Sequence, residues 1–408
     1  MYPLSTLSLL SNVGIFLFFA LNLGLNRGPL IGSVVILISA IAALPLYKGF
    51  FQFKESLVLL VLLSLTSLCM ILISFLHGNS LSNIDLSSRY ILSVPVFLLM
   101  LYLTPNVKLF LTGCAVGCWL GLLVGAWQII GLNFERAIGF TGVIQFGNIA
   151  LLMGLFSLAG LFYQPEKSST YWKIFLSISG LIGIYVSFLS GSRGGWVAIP
   201  IALIVFITPL YSRDKLKKLL FYVLIGGAAI VTIASQSNSL HKRLEVAKTD
   251  IVAYGHGNTE TSIGARLGLW AYVTEIISER PLLGWSDSDY QQGLKELVRL
   301  DPSKATMAGL ANTHNSILEV TVFSGIVGLI PFLLLLGYPF IFFLRGLRSI
   351  SSLERFASVS GTSLIGCYFV MSQSQVMFHR NNTLMFFLIS LAIFWSYLKK
   401  SQVRSAQV

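Results

Sequence analysis

The chain has 408 residues, of which 55% are hydrophobic and 11% charged, with a net charge of +12 and a mean hydropathy of +0.79. Soluble globular chains carry about 25% charge, so the composition excludes a soluble domain and points to an integral membrane protein. The apolar runs are long and unbroken, which requires helices; a barrel strand would alternate sidedness at every residue. The expected fold class is therefore an all-α membrane bundle.

A span needs about 20 apolar residues. In chain order, twelve candidate spans centre near Phe16, Ile38, Leu65, Phe97, Leu122, Leu152, Leu181, Leu203, Ile225, Leu333, Ile365 and Leu388. The fourth reads as short, and the seventh and eighth as nearly fused. No basic stretch precedes the first run and no small-residue cleavage site follows it, so it reads as a retained span. The cysteines Cys69, Cys114, Cys118 and Cys367 all lie in apolar runs and read as small core residues.

Orientation follows from the basic residues. With both termini in the cytoplasm, the inner loops and tail hold 15 Lys and Arg, against five (Arg27, Arg89, Arg136, Arg193 and Arg380) in the short outer loops. The positive charge then anchors the chain to the inner leaflet, with membrane lipids as partners. No basic-aromatic patch suggests a nucleic-acid partner. The expected organisation is spans one to nine over residues 1–235, an extracytoplasmic loop domain over 236–314, spans ten to twelve over 315–400, and a cytoplasmic tail over 401–408.

Residues 235–320 are the one long polar stretch, with three of the five histidines and ten of the 16 acidic residues. Water-facing chemistry must occur there or against it. A helix is predicted over 263–279, with Ser262 as N-cap and Pro281 just past its end. Its helical wheel puts Arg266, Trp270, Val273 and Ile277 on one face, with Gly268, Tyr272, Glu275 and Glu279 opposite. A second helix over 290–300 aligns Tyr290, Leu294 and Leu297. Both are expected to lie along the outer membrane surface or to cap the bundle.

Five positions stand out as candidates. Arg266 on an apolar face either snorkels to lipid headgroups or faces a cavity and binds an anion, since its fixed fork suits phosphate oxygens. Arg193, in LSGSRGGW, is either an interfacial arginine in a glycine turn or an ionisable group held at membrane depth for function. Arg136 is a weaker candidate because Glu135 beside it can offset its charge. His314, in NTHNS, is either a hydrogen-bonded histidine at a helix start or a proton acceptor near neutral pH. Glu319 either orients its neighbours or supplies ordinary helix-start charge. His77, His241, His256 and His379 read as surface residues.

No HExxH, paired-carboxylate metal motif, Walker loop or GxGxxG is present, and Ser192 lacks a nucleophile-elbow context. Nothing in the motifs argues for a metal, another cofactor or a covalent serine intermediate. Arginines plus one histidine at an outer face suit an anionic, lipid-anchored substrate whose leaving group is already good.

Residues 189–200 (LSGSRGGWVAIP), 261–285 (TSIGARLGLWAYVTEIISERPLLGW) and 312–330 (NTHNSILEVTVFSGIVGLI) resemble the O-antigen ligase family of lipopolysaccharide assembly. The order of spans and the large outer loop resemble it too. The resemblance implies a GT-C type glycosyltransferase of a Gram-negative inner membrane, working on the periplasmic side without metal or ATP. Its donor would be O-antigen on undecaprenyl pyrophosphate and its acceptor the lipid A-core oligosaccharide. Carried onto this sequence, the catalytic residues would be His314, Arg266 and Arg193. Arg136, Asn315, Glu319 and Trp270 would bind substrate. The double glycine after Arg193 has no counterpart that the resemblance explains. An O-antigen polymerase or an O-linked oligosaccharyltransferase of the same superfamily is the alternative. A lipid-linked glycan transporter is a distant one, because no internal repeat is visible.

Overall fold

The computed structural model describes residues 4–47, 54–165, 169–210 and 238–406. Among the described residues every regular element is a helix. Among the described residues, eight helices are long and apolar enough to cross a membrane: Gly28–Leu46, Lys54–Leu76, Ile84–Tyr102, Val107–Gly131, Val143–Phe162, Thr170–Ser190, Ser316–Gly346 and Asn381–Arg404. Leu4–Ala20 and Gly194–Leu210 are apolar but shorter. The candidate near Ile225 lies outside the described residues. The fourth candidate is among the shorter spans, Ile84–Tyr102, within a helix that runs Leu81–Tyr102.

Outward faces of these helices carry large apolar side chains, such as Leu30, Val34, Ile38, Val61, Leu65 and Leu68. Water would penalise such a surface and lipid would not. The chain is an integral, multi-pass membrane protein.

The helix Ser352–Met371, expected as a span, is long enough but not among the eight. Ser358, Ser360, Thr362 and Ser363 lower its hydropathy, yet all four are buried with Phe356, Val359 and Leu364. Its polarity fits a helix surrounded by protein rather than by hydrocarbon.

The described chain divides into two compact units. The first comprises Met1–Ile71, Ile84–Pro209 and Pro331–Val408. Its core is aromatic. Phe110, on α5 (Val107–Ala126), meets Phe19 of α1 (Leu4–Ala20) edge-on, with ring centroids 4.9 Å apart. Phe156, on α6 (Val143–Ala159), meets Phe394 of the last helix (Asn381–Ala406) at 4.8 Å and stacks on its Phe386 at 5.9 Å. Such pairs add about 0.5–1.5 kcal/mol each beyond their burial. Along α7 (Thr170–Ser190), Gly180 and Gly183 let its backbone approach α6 at Gly154 and Ala150. A four-residue helix, α8 (Arg193–Trp196), follows α7 after a turn through Gly191.

The second unit comprises Leu72–Asn83 and Leu210–Ile330. Its helices are α10 (Asn238–Gly255), α11 (Ser262–Glu279), α12 (Asp287–Leu300), the short α13 (Ala305–Ala308) and the start of α14 (Ser316–Gly346); α9 (Ile199–Ile207) precedes them in the first unit. Ala265, Leu269, Val273 and Ile276 of α11 pack with Tyr290 and Leu294 of α12, Met307 of α13 and Val322 of α14. Leu297 packs against that core too, as the pattern of α12 predicts.

Two expectations for α11 are corrected. Its N-cap is Thr261, whose hydroxyl accepts from Gly264 N at 3.0 Å; Ser262 is the first helical residue. Its buried face is centred on Ala265, Leu269, Val273 and Ile276, so Arg266, Trp270 and Ile277 form one edge of the apolar stripe rather than its middle. Packing chose the side with Ala265 and Leu269, because the partner helices contact there.

Helix α14 breaks at Gly325, where φ is 55° and ψ −162°. The backbone groups freed by the break pair with the loop after α11. Trp285 N donates to Val322 O at 2.7 Å, Ile326 N to Pro281 O at 2.8 Å, and Val327 N to Leu282 O at 3.2 Å. A Cβ on Gly325 would collide with the Leu282 carbonyl, so only glycine allows this approach. The PLLGW segment is thereby strapped to α14, and the Trp285 indole locks it by donating to Ile276 O at 2.8 Å.

Candidate active site

The turn that carries His314 is built from its own polar neighbours. Asn315 caps α14, its Oδ1 accepting from Ile317 N at 3.0 Å and Leu318 N at 3.3 Å. An asparagine at this position satisfies helix-start N–H groups that have no intrahelical acceptor. Upstream, Asn312 Oδ1 accepts from His314 N at 3.1 Å, an Asx turn that bends the chain before the helix. Between these two devices His314 adopts φ 53°, one of three non-glycine residues with positive φ among the described residues. Such a conformation is sterically unfavourable for a histidine and persists only where the surroundings fix it.

Thr313 supplies the fixing, and all of its polar groups are used. Its N–H donates to Glu319 Oε2 at 2.9 Å, its hydroxyl donates to Asn315 O at 2.8 Å, and its carbonyl accepts from Trp270 Nε1 at 2.7 Å. Thr313 is fully buried and Glu319 nearly so. Buried polar groups arranged this way hold one geometry, since breaking any single bond strands its partner.

Trp270 belongs to α11, one turn after Arg266 on the same edge of that helix. The Trp270–Thr313 bond therefore ties the element that carries Arg266 to the turn that carries His314. Arg266 is partly buried, and burial lowers the pKa of its guanidinium without a compensating anion. Among the described residues it makes no hydrogen bond or ion pair. A guanidinium held partly out of water with its five donors unused can receive an anion at small further desolvation cost. All five of these residues, Arg266, Trp270, His314, Asn315 and Glu319, lie in the second unit.

Arg136 and Arg193 lie in the first unit. Ala137 N donates to Leu189 O at 3.0 Å, which sets the Arg136 loop beside the end of α7, just before the Arg193 turn. Gln128, buried at 3% exposure, shapes the same loop: its Oε1 accepts from Ile138 N and Gly139 N, both at 2.9 Å, and its Nε2 donates to Gly139 O at 2.9 Å. Arg136 and Glu135 are both exposed.

His77 corrects another reading. It is half-buried, with its Nδ1 buried and lacking a hydrogen-bond partner among the described residues. Burial first, and the Arg280 charge second, lower its pKa. Asn79, two residues on, accepts from Asp287 N at 3.4 Å, and Arg280 donates to Asp289 Oδ2 at 2.6 Å. His256 and His379 are exposed, as expected; the side chain of His241 is outside the described set.

The sequence reading missed Thr313, Asn312 and Gln128. An asparagine two residues before His314 and another immediately after it are turn and cap signals that could have revealed the first two. No local signal marks Gln128, whose partners lie across a loop.

Comparison with known proteins bears on this arrangement. Residues 178–333 match the family model described as O-antigen ligase. The match covers under half of the chain. It includes Arg193, Arg266, Trp270, His314, Asn315 and Glu319, and leaves Arg136 outside. An uncharacterized protein of Haemophilus influenzae is 29% identical over 361 residues, covering 84% of this chain and 86% of its own length. A "Putative polysaccharide ligase" of Rickettsia conorii is 27% identical over 195 residues, 47% of this chain and 43% of its own. A protein of the same description in Rickettsia bellii is 32% identical over 157 residues, 38% of this chain and 36% of its own. This chain thus spans under half the length of either Rickettsia relative.

Proposed function

We propose that this chain is an O-antigen ligase, a glycosyltransferase that moves a finished polysaccharide from a polyprenyl pyrophosphate carrier to lipid A-core on the periplasmic side of the inner membrane. The observation that carries the reading is the Trp270–Thr313 bond, which couples an unpaired, partly buried guanidinium to an imidazole held in a strained turn. The O-antigen ligase family match over 178–333 supports the same class of substrate.

In this reading Arg266 holds the pyrophosphate and stabilises the charge that grows on its oxygen as the sugar C1–O bond breaks. His314 takes the proton from the acceptor hydroxyl as that oxygen attacks C1 from the opposite face, inverting the anomeric centre. Base assistance of this kind contributes about 10²–10⁴-fold. The sugar–pyrophosphate bond supplies the driving force, so neither nucleotide nor metal is required. Asn315, Glu319 and Trp270, first assigned to substrate binding, serve in this account to hold the His314 turn. Arg193 and Arg136 retain their assignment as cations for anionic substrate groups.

The test uses purified protein in lipid with both lipid-linked substrates, in the presence of a chelator. Wild-type protein is expected to cap lipid A-core, and His314→Ala to be folded and inactive. Extension of the carrier-linked glycan with no capping would instead identify a polymerase.

A further inference from the structure

The double glycine after Arg193 meets two polar side chains in the first unit. A Cβ on Gly195 would lie 2.6 Å from Asn148 Oδ1, and a Cβ on Gly194 would collide with Ser374 Oγ. Asn148 lies on α6, fully buried, and Ser192 Oγ donates to its Oδ1 at 2.8 Å. Its Nδ2 donates to Met377 Sδ at 3.4 Å. Ser192 N donates to Ser190 Oγ at 3.2 Å, and Gly195 N to Ser192 O at 3.1 Å. The residue before Arg193 is thus hydrogen-bonded to an amide on a neighbouring helix, and the same amide lies close against Gly195, two residues after it.

An amide buried in a membrane-spanning helix carries a desolvation cost unless both of its ends are used. Here one end binds the residue before Arg193 and the other binds the chain segment between the last two helices. A purely structural site would be served as well by an apolar side chain. It would not need a glycine at 195 to bring α8 against the amide.

We infer that Asn148 is a positioning residue for Arg193, acting through Ser192 to fix the direction of α8. The inference rests on the assignment of Arg193 as a cation for an anionic substrate group. A misdirected cation loses interactions made in the transition state, so turnover falls while substrate binding is kept.

The experiment measures kcat and donor KM for Asn148→Ala, Ser192→Ala and the double variant in the capping assay, with thermal unfolding in parallel. Each single variant is expected to lower kcat about tenfold with KM unchanged. The double variant is expected to fall no further, since both act through one hydrogen bond. If Asn148→Ala does not fold, Ser192→Ala alone decides. Wild-type kcat in Ser192→Ala, or a loss confined to KM or to the yield of folded protein, overturns the inference. Arg193→Ala separates the levels: inactive, it leaves the catalytic assignment standing whatever Ser192→Ala does; at wild-type rate, it removes that assignment itself.

Discussion

The indole N–H of Trp270 reaches the carbonyl of Thr313 across 2.7 Å, and through that bond the helix bearing Arg266 fixes the residue next to His314. Trp270→Phe keeps the ring and removes the donor. The expected cost is about 1 kcal/mol of stability for the lost bond, with transfer falling at least about tenfold because the turn is no longer held. Unfolding and transfer, measured on the same preparation, check both numbers.

Glu319 accepts from Thr313 N at 2.9 Å in a buried setting. Glu319→Ala leaves that N–H without its acceptor and should destabilise by about 1–3 kcal/mol. Glu319→Gln retains a carbonyl oxygen for the same bond and should recover most of the loss. Chemical denaturation of the three proteins compares them directly.

His314 separates backbone from chemistry. Its φ of 53° suits glycine and penalises alanine, so His314→Gly should be more stable than His314→Ala by about 1 kcal/mol. Neither should transfer glycan, because both lack the imidazole. Equal stability of the two would show that the turn relaxes and is not fixed by Thr313.

Much of this was legible in the sequence, and the limits have physical causes. Apolar runs gave the helical membrane class because lipid admits little else. They also marked Ser352–Met371, a helix whose hydroxyls lower its mean hydropathy although they are buried in protein. The pattern of α12 was right because Tyr290, Leu294 and Leu297 leave one choice of face. The pattern of α11 was displaced by one residue's angle, because both candidate stripes were apolar and tertiary contact decided between them. Arg266 and His314 stood out as residue types in odd places. The Trp270–Thr313 bond did not, since it joins positions 43 residues apart in the chain.

His77 offers a pH test. Its pKa is lowered in the fold by burial and by Arg280, so the folded state favours the neutral ring and the unfolded chain binds the proton more readily. The stability from this group is present above the ordinary histidine value of about 6.5 and is lost as pH falls through the lowered value. The second unit should therefore become more protease-sensitive in acid. His77→Gln, which cannot titrate, should flatten that dependence without altering sensitivity at pH 8.

The central claim is that the Arg266 fork, beside the His314 imidazole, stabilises a departing pyrophosphate. The rate of capping by Arg266→Lys in the purified two-lipid system, with chelator present, tests it most directly. Lysine keeps the charge and loses the bidentate fork, so the account predicts a rate at least about tenfold below wild type. A rate equal to wild type, from protein folded as well as wild type, would contradict it.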